Sequence, residues 1–177
     1  MKGIILILLI VLLVGCTQKA EQVPKAVSNL EKFKMATIES PNIPAPNFKL
    51  TDSNGNELTN ENLNGKVYLL QGYTYGCTSC AEEVATLNKI YTKYNGKGVE
   101  IISMDIVSED IETALETKKK YNGGDWHWAL DNDDVAVKFK MKSLESTYII
   151  DKDGVIRYKD EAISDADVLS KEIEKLI

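Results

Sequence analysis

The stretch Val67-Tyr-Leu-Leu-Gln-Gly-Tyr-Thr-Tyr-Gly-Cys77-Thr-Ser-Cys80-Ala-Glu-Glu-Val84 joins two hydrophobic patterns across one pair of cysteines. Val67 to Leu70 is a short apolar run of the kind that forms a buried strand. Val84, Leu87, Tyr91 and Tyr94 then recur at helical spacing. A Cys-x-x-Cys at such a strand-to-helix junction sets the first sulfur over the unpaired N–H groups of the helix. The positive end of the helix dipole stabilises its thiolate. The second sulfur, one turn on, can resolve a mixed disulfide formed by the first. The pattern predicts a site that exchanges electrons through thiols, with Cys77 and Cys80 as its reacting groups.

The chain has three cysteines, and the third, Cys16, sits at the end of a different signal. Lys2 precedes an apolar stretch, Gly3 to Val14, which Leu13-Val14-Gly15-Cys16 closes with small residues. A helix that crosses a bilayer core needs about 20 apolar residues, so this stretch suits a cleaved secretory signal better. Leu-Val-Gly-Cys also resembles the lipobox of prokaryotic lipoproteins, in which the cysteine becomes the lipidated first residue. The expectation is a signal peptide at 1–15, a lipidated N-terminus and flexible tether at 16–45, and one domain at 46–177. Lipid on Cys16 would hold the protein outside the cytoplasm on the cell membrane, since two acyl chains exceed the marginal binding of one. Cys77 and Cys80 then remain as the only pair. A disulfide across two intervening residues closes too small a loop to add much stability, so a functional role is favoured. A four-ligand zinc site needs more Cys or His than is present, because His127 is the sole histidine.

Composition excludes further classes. Without Lys2 the chain keeps 20 basic residues against 27 acidic ones, a formal charge of −7. That argues against nucleic acid as a partner and against electrostatic adsorption to anionic lipid. Arg157 is the sole arginine, which removes an arginine-cluster phosphate site. About 130 residues follow the tether, enough for one ordinary core.

From Asn47 onward strands and helices alternate. Phe48–Thr51 reads as a strand before the turn Asp52-Ser-Asn-Gly55. Strands follow at 67–72, 99–106 and 128–130, with helices at 80–94 and from a Ser108 N-cap to Tyr121. A helical turn or two is expected at 135–139. A hairpin at 146–150 and 155–158 turns on Asp151-Lys-Asp-Gly154. Ser164 and Asp167 read as a capping box for a closing helix to Ile177. This order predicts an α/β fold with a mixed central β-sheet flanked by helices.

Ala45-Pro46-Asn47-Phe48-Lys49-Leu50, Gly55-Asn-Glu-Leu58, Gly65-Lys66-Val67-Tyr-Leu-Leu, the cysteine pair and Tyr148-Ile-Ile-Asp-Lys-Asp-Gly154 together resemble the TlpA/ResA group of membrane-tethered thioredoxin-like proteins. The wider group includes the AhpC/TSA peroxiredoxins and the SCO copper proteins. The resemblance implies a thioredoxin-like fold, with Cys77 as attacking thiol and Cys80 as resolving thiol. It also implies cysteine pairs of other exported proteins as substrates, a redox partner, no bound cofactor, and a monomer. A peroxiredoxin would carry Pro-x-x-x-Thr-x-x-Cys and an arginine near the sulfur. Here Leu70 stands in the proline's place, and Arg157 falls on the strand after the hairpin turn. The SCO alternative would use the same cysteines to bind copper, but its cysteines are spaced differently. His127 also lies some twenty residues before that group's metal-binding histidine, so it reads as an ordinary packed or surface residue. A third reading is a redox-inert interaction domain that kept the motif.

One departure concerns all of these. Relatives place a cis-proline before the hairpin strand, facing the dithiol, whereas all four prolines here precede Asn47. By register Glu145 occupies that position. Its charge is expected to lie near the cysteines and to hold the Cys77 thiol protonated by repulsion. Glu145 therefore joins Cys77 and Cys80 as a catalytic candidate. Thr78 and Ser79 are expected either to donate to the Cys77 sulfur or to cap the helix. Tyr73, Tyr75 and Trp126 are the candidates for an aromatic rim.

Overall fold

A computed structural model of the chain describes residues 38–177. The strands are β1 (Ile43–Pro44), β2 (Lys49–Thr51), β3 (Glu57–Thr59), β4 (Val67–Tyr73), β5 (Val99–Asp105), β6 (His127–Leu130), β7 (Thr147–Ile150) and β8 (Val155–Asp160). The helices are α1 (Ser79–Tyr94), α2 (Ile111–Lys120), the short α3 (Val135–Lys138) and α4 (Ala166–Glu174). Six strands form one sheet in the order β1-β8-β7-β4-β5-β6. β4, β5 and β6 run parallel, as crossovers through α1 and α2 require. β7 lies antiparallel to β4, and β8 and β1 continue antiparallel beyond it. β2 and β3 make a separate hairpin. This is the mixed sheet flanked by helices that the sequence predicts.

β4 is buried along its whole length, so its side chains feed two cores alternately. Val67, Leu69 and Tyr73 pack with Val84 and Leu87 of α1, Ala114 of α2, and Leu169 and Ile173 of α4. Tyr68 and Leu70 join Phe48, Leu58, Val135 and Phe139 on the other face. Each fully buried large aliphatic contributes about 1.5–3 kcal/mol, so the strand that ends at the cysteine turn is among the most firmly held in the molecule.

Trp126 and Trp128 stack at a centroid distance of 5.3 Å beneath Gly123 and Gly124. A Cβ on Gly123 would lie 2.3 Å from Trp128 Cζ2, on a rigid ring that cannot swing aside. Gly123→Ala is therefore expected to lower stability by about 1–3 kcal/mol, read as a lower urea midpoint with unchanged slope.

Three local expectations need correction. The stretch from Glu39 to Ala45, assigned to the tether, is hydrogen-bonded along β8: Glu39 N–H donates to the Lys159 carbonyl at 2.7 Å and Ala45 N–H to the Gly154 carbonyl at 2.8 Å. Its prolines suit an edge strand, where a missing N–H faces no partner. Ser108 does not cap α2, because its hydroxyl is spent on Asp105 Oδ2 at 2.8 Å. Asp110 caps instead, accepting from Thr113 N–H at 2.8 Å. Likewise Asp165 caps α4, while the N–H of buried Ser164 turns inward to Glu83.

Candidate active site

The chain leaves β4 at Tyr73 and reverses before α1. Gly76 takes a φ of +81° there, a left-handed conformation that glycine adopts without strain. Cys77, just before the N-cap of α1, and Cys80, in its first turn, are joined as a disulfide. Cys77 is partly exposed, whereas Cys80 is fully buried in the core beneath. No side chain caps the helix at Thr78. The free first-turn donors instead serve the sulfur: Cys80 N–H donates to Cys77 Sγ at 3.2 Å. An attacker from solvent reaches Cys77 and not Cys80, so the thiolate it displaces is that of Cys80; the Cys80 N–H and the positive helix end serve Cys77 when that sulfur is the thiolate.

Ser79 and Glu145 stand beside this sulfur. Ser79 Oγ lies 3.4 Å from Cys77 Sγ and donates its proton to Glu145 Oε1. Glu145 reaches the pair because the Ser143–Ser146 turn holds it against the end of β4, where Gly72 N–H donates to the Ser146 carbonyl at 3.0 Å. The structure thus brings Cys77, Cys80, Ser79 and Glu145 together. From the far side the Tyr121 hydroxyl donates to the Cys77 carbonyl at 3.1 Å. An open groove of about 680 Å³ runs past Cys77, with Thr74, Tyr75 and Leu144 among its walls.

Sequence reasoning missed Glu83 and Tyr121. Glu83 follows Cys80 by three residues on α1, so the two share a helix face. It is fully buried. Its oxygens accept from Thr147 Oγ1 at 2.9 Å and Ser164 N–H at 2.8 Å. Burial pushes the carboxyl up to about 7 despite these hydrogen bonds, with the charge of Asp160 adding to the effect. A carboxyl at a position of the first buried stripe of a helix is the signal that could have found it. No local pattern marks Tyr121, which lies 44 residues from Cys77.

Other sequence candidates lie elsewhere. Tyr73 is core: its ring meets Trp128 edge-on at 5.4 Å, and its hydroxyl donates to the Ala114 carbonyl. Trp126 is also buried and donates to Ser103 Oγ at 3.0 Å, so only Tyr75 of the proposed rim is exposed. Nδ1 of His127 is 2.7 Å from buried Asp52 and Nε2 is 3.5 Å from Glu100. Glu100 and Asp52 hold its imidazole above the ordinary range against the opposing effect of burial. The same ring, with Lys66, brings Glu100 down to about 2 against its own burial. His127 is thus an ion-paired structural residue. Among the described residues no group of three or more His, Cys, Asp or Glu side chains is placed to hold a metal ion. Arg157 binds Asp151 Oδ2 at 2.6 Å and Asn42 Oδ1 at 2.9 Å. Cys16 lies outside the described residues.

A family model described as the AhpC/TSA family matches residues 41–159, which contain the strand, the cysteine turn and the hairpin. The chain belongs to the AhpC/TSA family. Among curated relatives of this AhpC/TSA chain is the thiol-disulfide oxidoreductase ResA of Bacillus cereus, 32% identical over 113 residues. That alignment spans 63% of this chain and 64% of the relative's length. The thiol:disulfide interchange protein DsbE of Allochromatium vinosum is 30% identical over 137 residues, covering 76% of this chain and 74% of that one. These relatives place the chain in the thioredoxin-like TlpA/ResA group. Among solved structures, the thioredoxin domain of a thiol-disulfide oxidoreductase from Bacteroides vulgatus superposes with a TM-score of 0.67 at 22% identity. It covers 77% of this chain and 96% of that domain, a likeness of fold. Of the two positions weighed for a peroxiredoxin site, Leu70 is core and Arg157 is engaged by Asp151 and Asn42. No helix among the described residues is long and apolar enough to cross a membrane.

Proposed function

We propose that the protein is a membrane-anchored, extracytoplasmic thiol–disulfide oxidoreductase that exchanges electrons with cysteine pairs of exported proteins through Cys77 and Cys80. The observation that carries this reading is the asymmetry of the disulfide: an accessible Cys77 sulfur receiving the Cys80 N–H, joined to a buried Cys80. The names of the ResA and DsbE relatives support it.

In the reducing direction the dithiol enters with Cys77 as thiolate. Its sulfur attacks a substrate disulfide, forming a mixed disulfide and releasing the first substrate thiolate. Cys80 then loses its proton and attacks Cys77 Sγ, the mixed disulfide breaks, and the second substrate thiolate leaves. Two electrons pass to the substrate and the internal disulfide forms. In the oxidising direction the same steps run backwards. Glu83 is the group suited to take the Cys80 proton, being buried on the same helix face with a carboxyl that titrates near neutrality. A redox partner restores the pair, and the domain acts as a monomer.

Residues 1–15 are proposed as a lipoprotein signal, Cys16 as the lipidated residue, and the following segment as a tether to the domain. Fatty-acid labelling and membrane fractionation of the full chain test this half of the reading. Label and membrane association are expected to disappear together in Cys16→Ser; a labelled or still membrane-bound variant would refute the lipid anchor.

A further inference from the structure

Ser79 has one hydroxyl proton and two neighbours able to accept it. Cys77 Sγ lies 3.4 Å away, and Glu145 Oε1 takes the proton. A carboxylate is the stronger acceptor, and a hydrogen bond to a charged group is about twice as strong as a neutral one. The hydroxyl therefore turns a lone pair, not a proton, toward the sulfur. That arrangement suits a Cys77 thiol, which can donate S–H to Ser79 Oγ and continue the chain S–H···O–H···O⁻. It does not suit the thiolate, which meets a lone pair with a carboxylate one hydroxyl behind it. The Cys80 N–H and the positive end of α1 favour the charged sulfur instead.

We propose that Glu145 is a positioning residue that acts through the Ser79 hydroxyl to hold Cys77 in its protonated form. The inference rests on the oxidoreductase reading and names how its site is tuned. It replaces direct charge repulsion, the simpler expectation from sequence, with a relay through a named atom. In Glu145→Gln the amide N–H donates to Ser79 Oγ, and the hydroxyl proton is released to point at the sulfur. The polarity of the relay reverses while its shape is kept.

The other ionisable groups near the pair are unchanged by these substitutions. They are Glu82 on the exposed side of α1, buried Glu83, Tyr121 at the Cys77 carbonyl, and Lys120 over the Tyr75 and Tyr121 rings.

The test is the pH profile of Cys77 alkylation by iodoacetamide in the full chain reduced with a phosphine. Four proteins are compared: the wild type, Glu145→Gln, Ser79→Ala and the double variant. Glu145→Gln is expected to be alkylated about tenfold faster at pH 6. In the Ser79→Ala background the same change is expected to have little effect. An unchanged profile in Glu145→Gln overturns the proposal. So does an equal shift with and without Ser79, which would assign the effect to charge acting through space. A wild-type pair that reacts with iodoacetamide yet never cycles in thiol buffers would instead refute the oxidoreductase reading, and the alkylation profiles would still decide the relay.

Discussion

In the Cys80→Ser variant, substrate protein is expected to accumulate on Cys77 as a mixed disulfide, while Cys77→Ser captures nothing. The two sulfurs sit at the N-terminal end of α1, but one is partly exposed and the other is fully buried. Capture needs only the accessible sulfur, so a chain without Cys80 still completes the first displacement. Release needs a second sulfur that stands behind the first, and among the described residues Cys80 is that sulfur. Steady-state turnover is expected to fall by more than roughly a thousandfold in both variants, since nucleophile and resolving thiol act as one unit. Non-reducing gels followed by mass analysis separate the two: adducts in Cys80→Ser, none in Cys77→Ser. Equal trapping by both would mean that the buried sulfur is reached from outside, contrary to the geometry.

Replacing Glu83 with glutamine is expected to slow release of the mixed disulfide by about a hundredfold at pH 7 and to flatten its pH dependence. In the wild type, release should accelerate as pH rises through about 7, where the buried carboxyl loses its proton and becomes a base for Cys80. The same group leaves a mark on stability. The folded chain holds the Glu83 proton more tightly than the unfolded chain, whose carboxyl titrates near 4.5. Between those values the folded state binds more protons, so stability falls as pH rises from about 4.5 to about 7. The loss from this group is at most about 3–4 kcal/mol. Glu83→Gln removes that slope, which urea unfolding of the oxidised protein at a series of pH values would reveal. A variant with wild-type release kinetics but a flattened stability curve would leave Glu83 as a buried structural acid only.

The fold was legible because its signals are local and strong. Val67–Leu70, the turn with its two cysteines and the Val84–Tyr94 periodicity identify β4 and α1 within a residue of their observed limits. Caps were harder to read. Ser108 and Ser164 are good N-cap residues by type, yet each has a nearer claimant, Asp105 and Glu83, that only the folded chain presents. β1 and β3 are two and three residues long, too short for a periodicity to announce them, and β1 also draws its stability from β8, far away in sequence. Both cysteines of the site could be read directly. Glu145 was found only through a missing proline, and its link to Cys77 through Ser79 required the structure. Glu83 reads as one more acidic residue of a surface helix until α1 is turned to show which face is buried.

The most direct test of the central claim is a redox titration of the full, detergent-solubilised chain against defined thiol buffers, scoring Cys77 and Cys80 by alkylation mass. The expected result is a reversible two-electron couple in which both cysteines change state together. A midpoint more reducing than about −220 mV would mark a reductase, and a much less reducing one an oxidase. A pair that fails to cycle, or cycles only after metal is stripped from it, would contradict the oxidoreductase reading and turn attention to copper handling by the same two sulfurs.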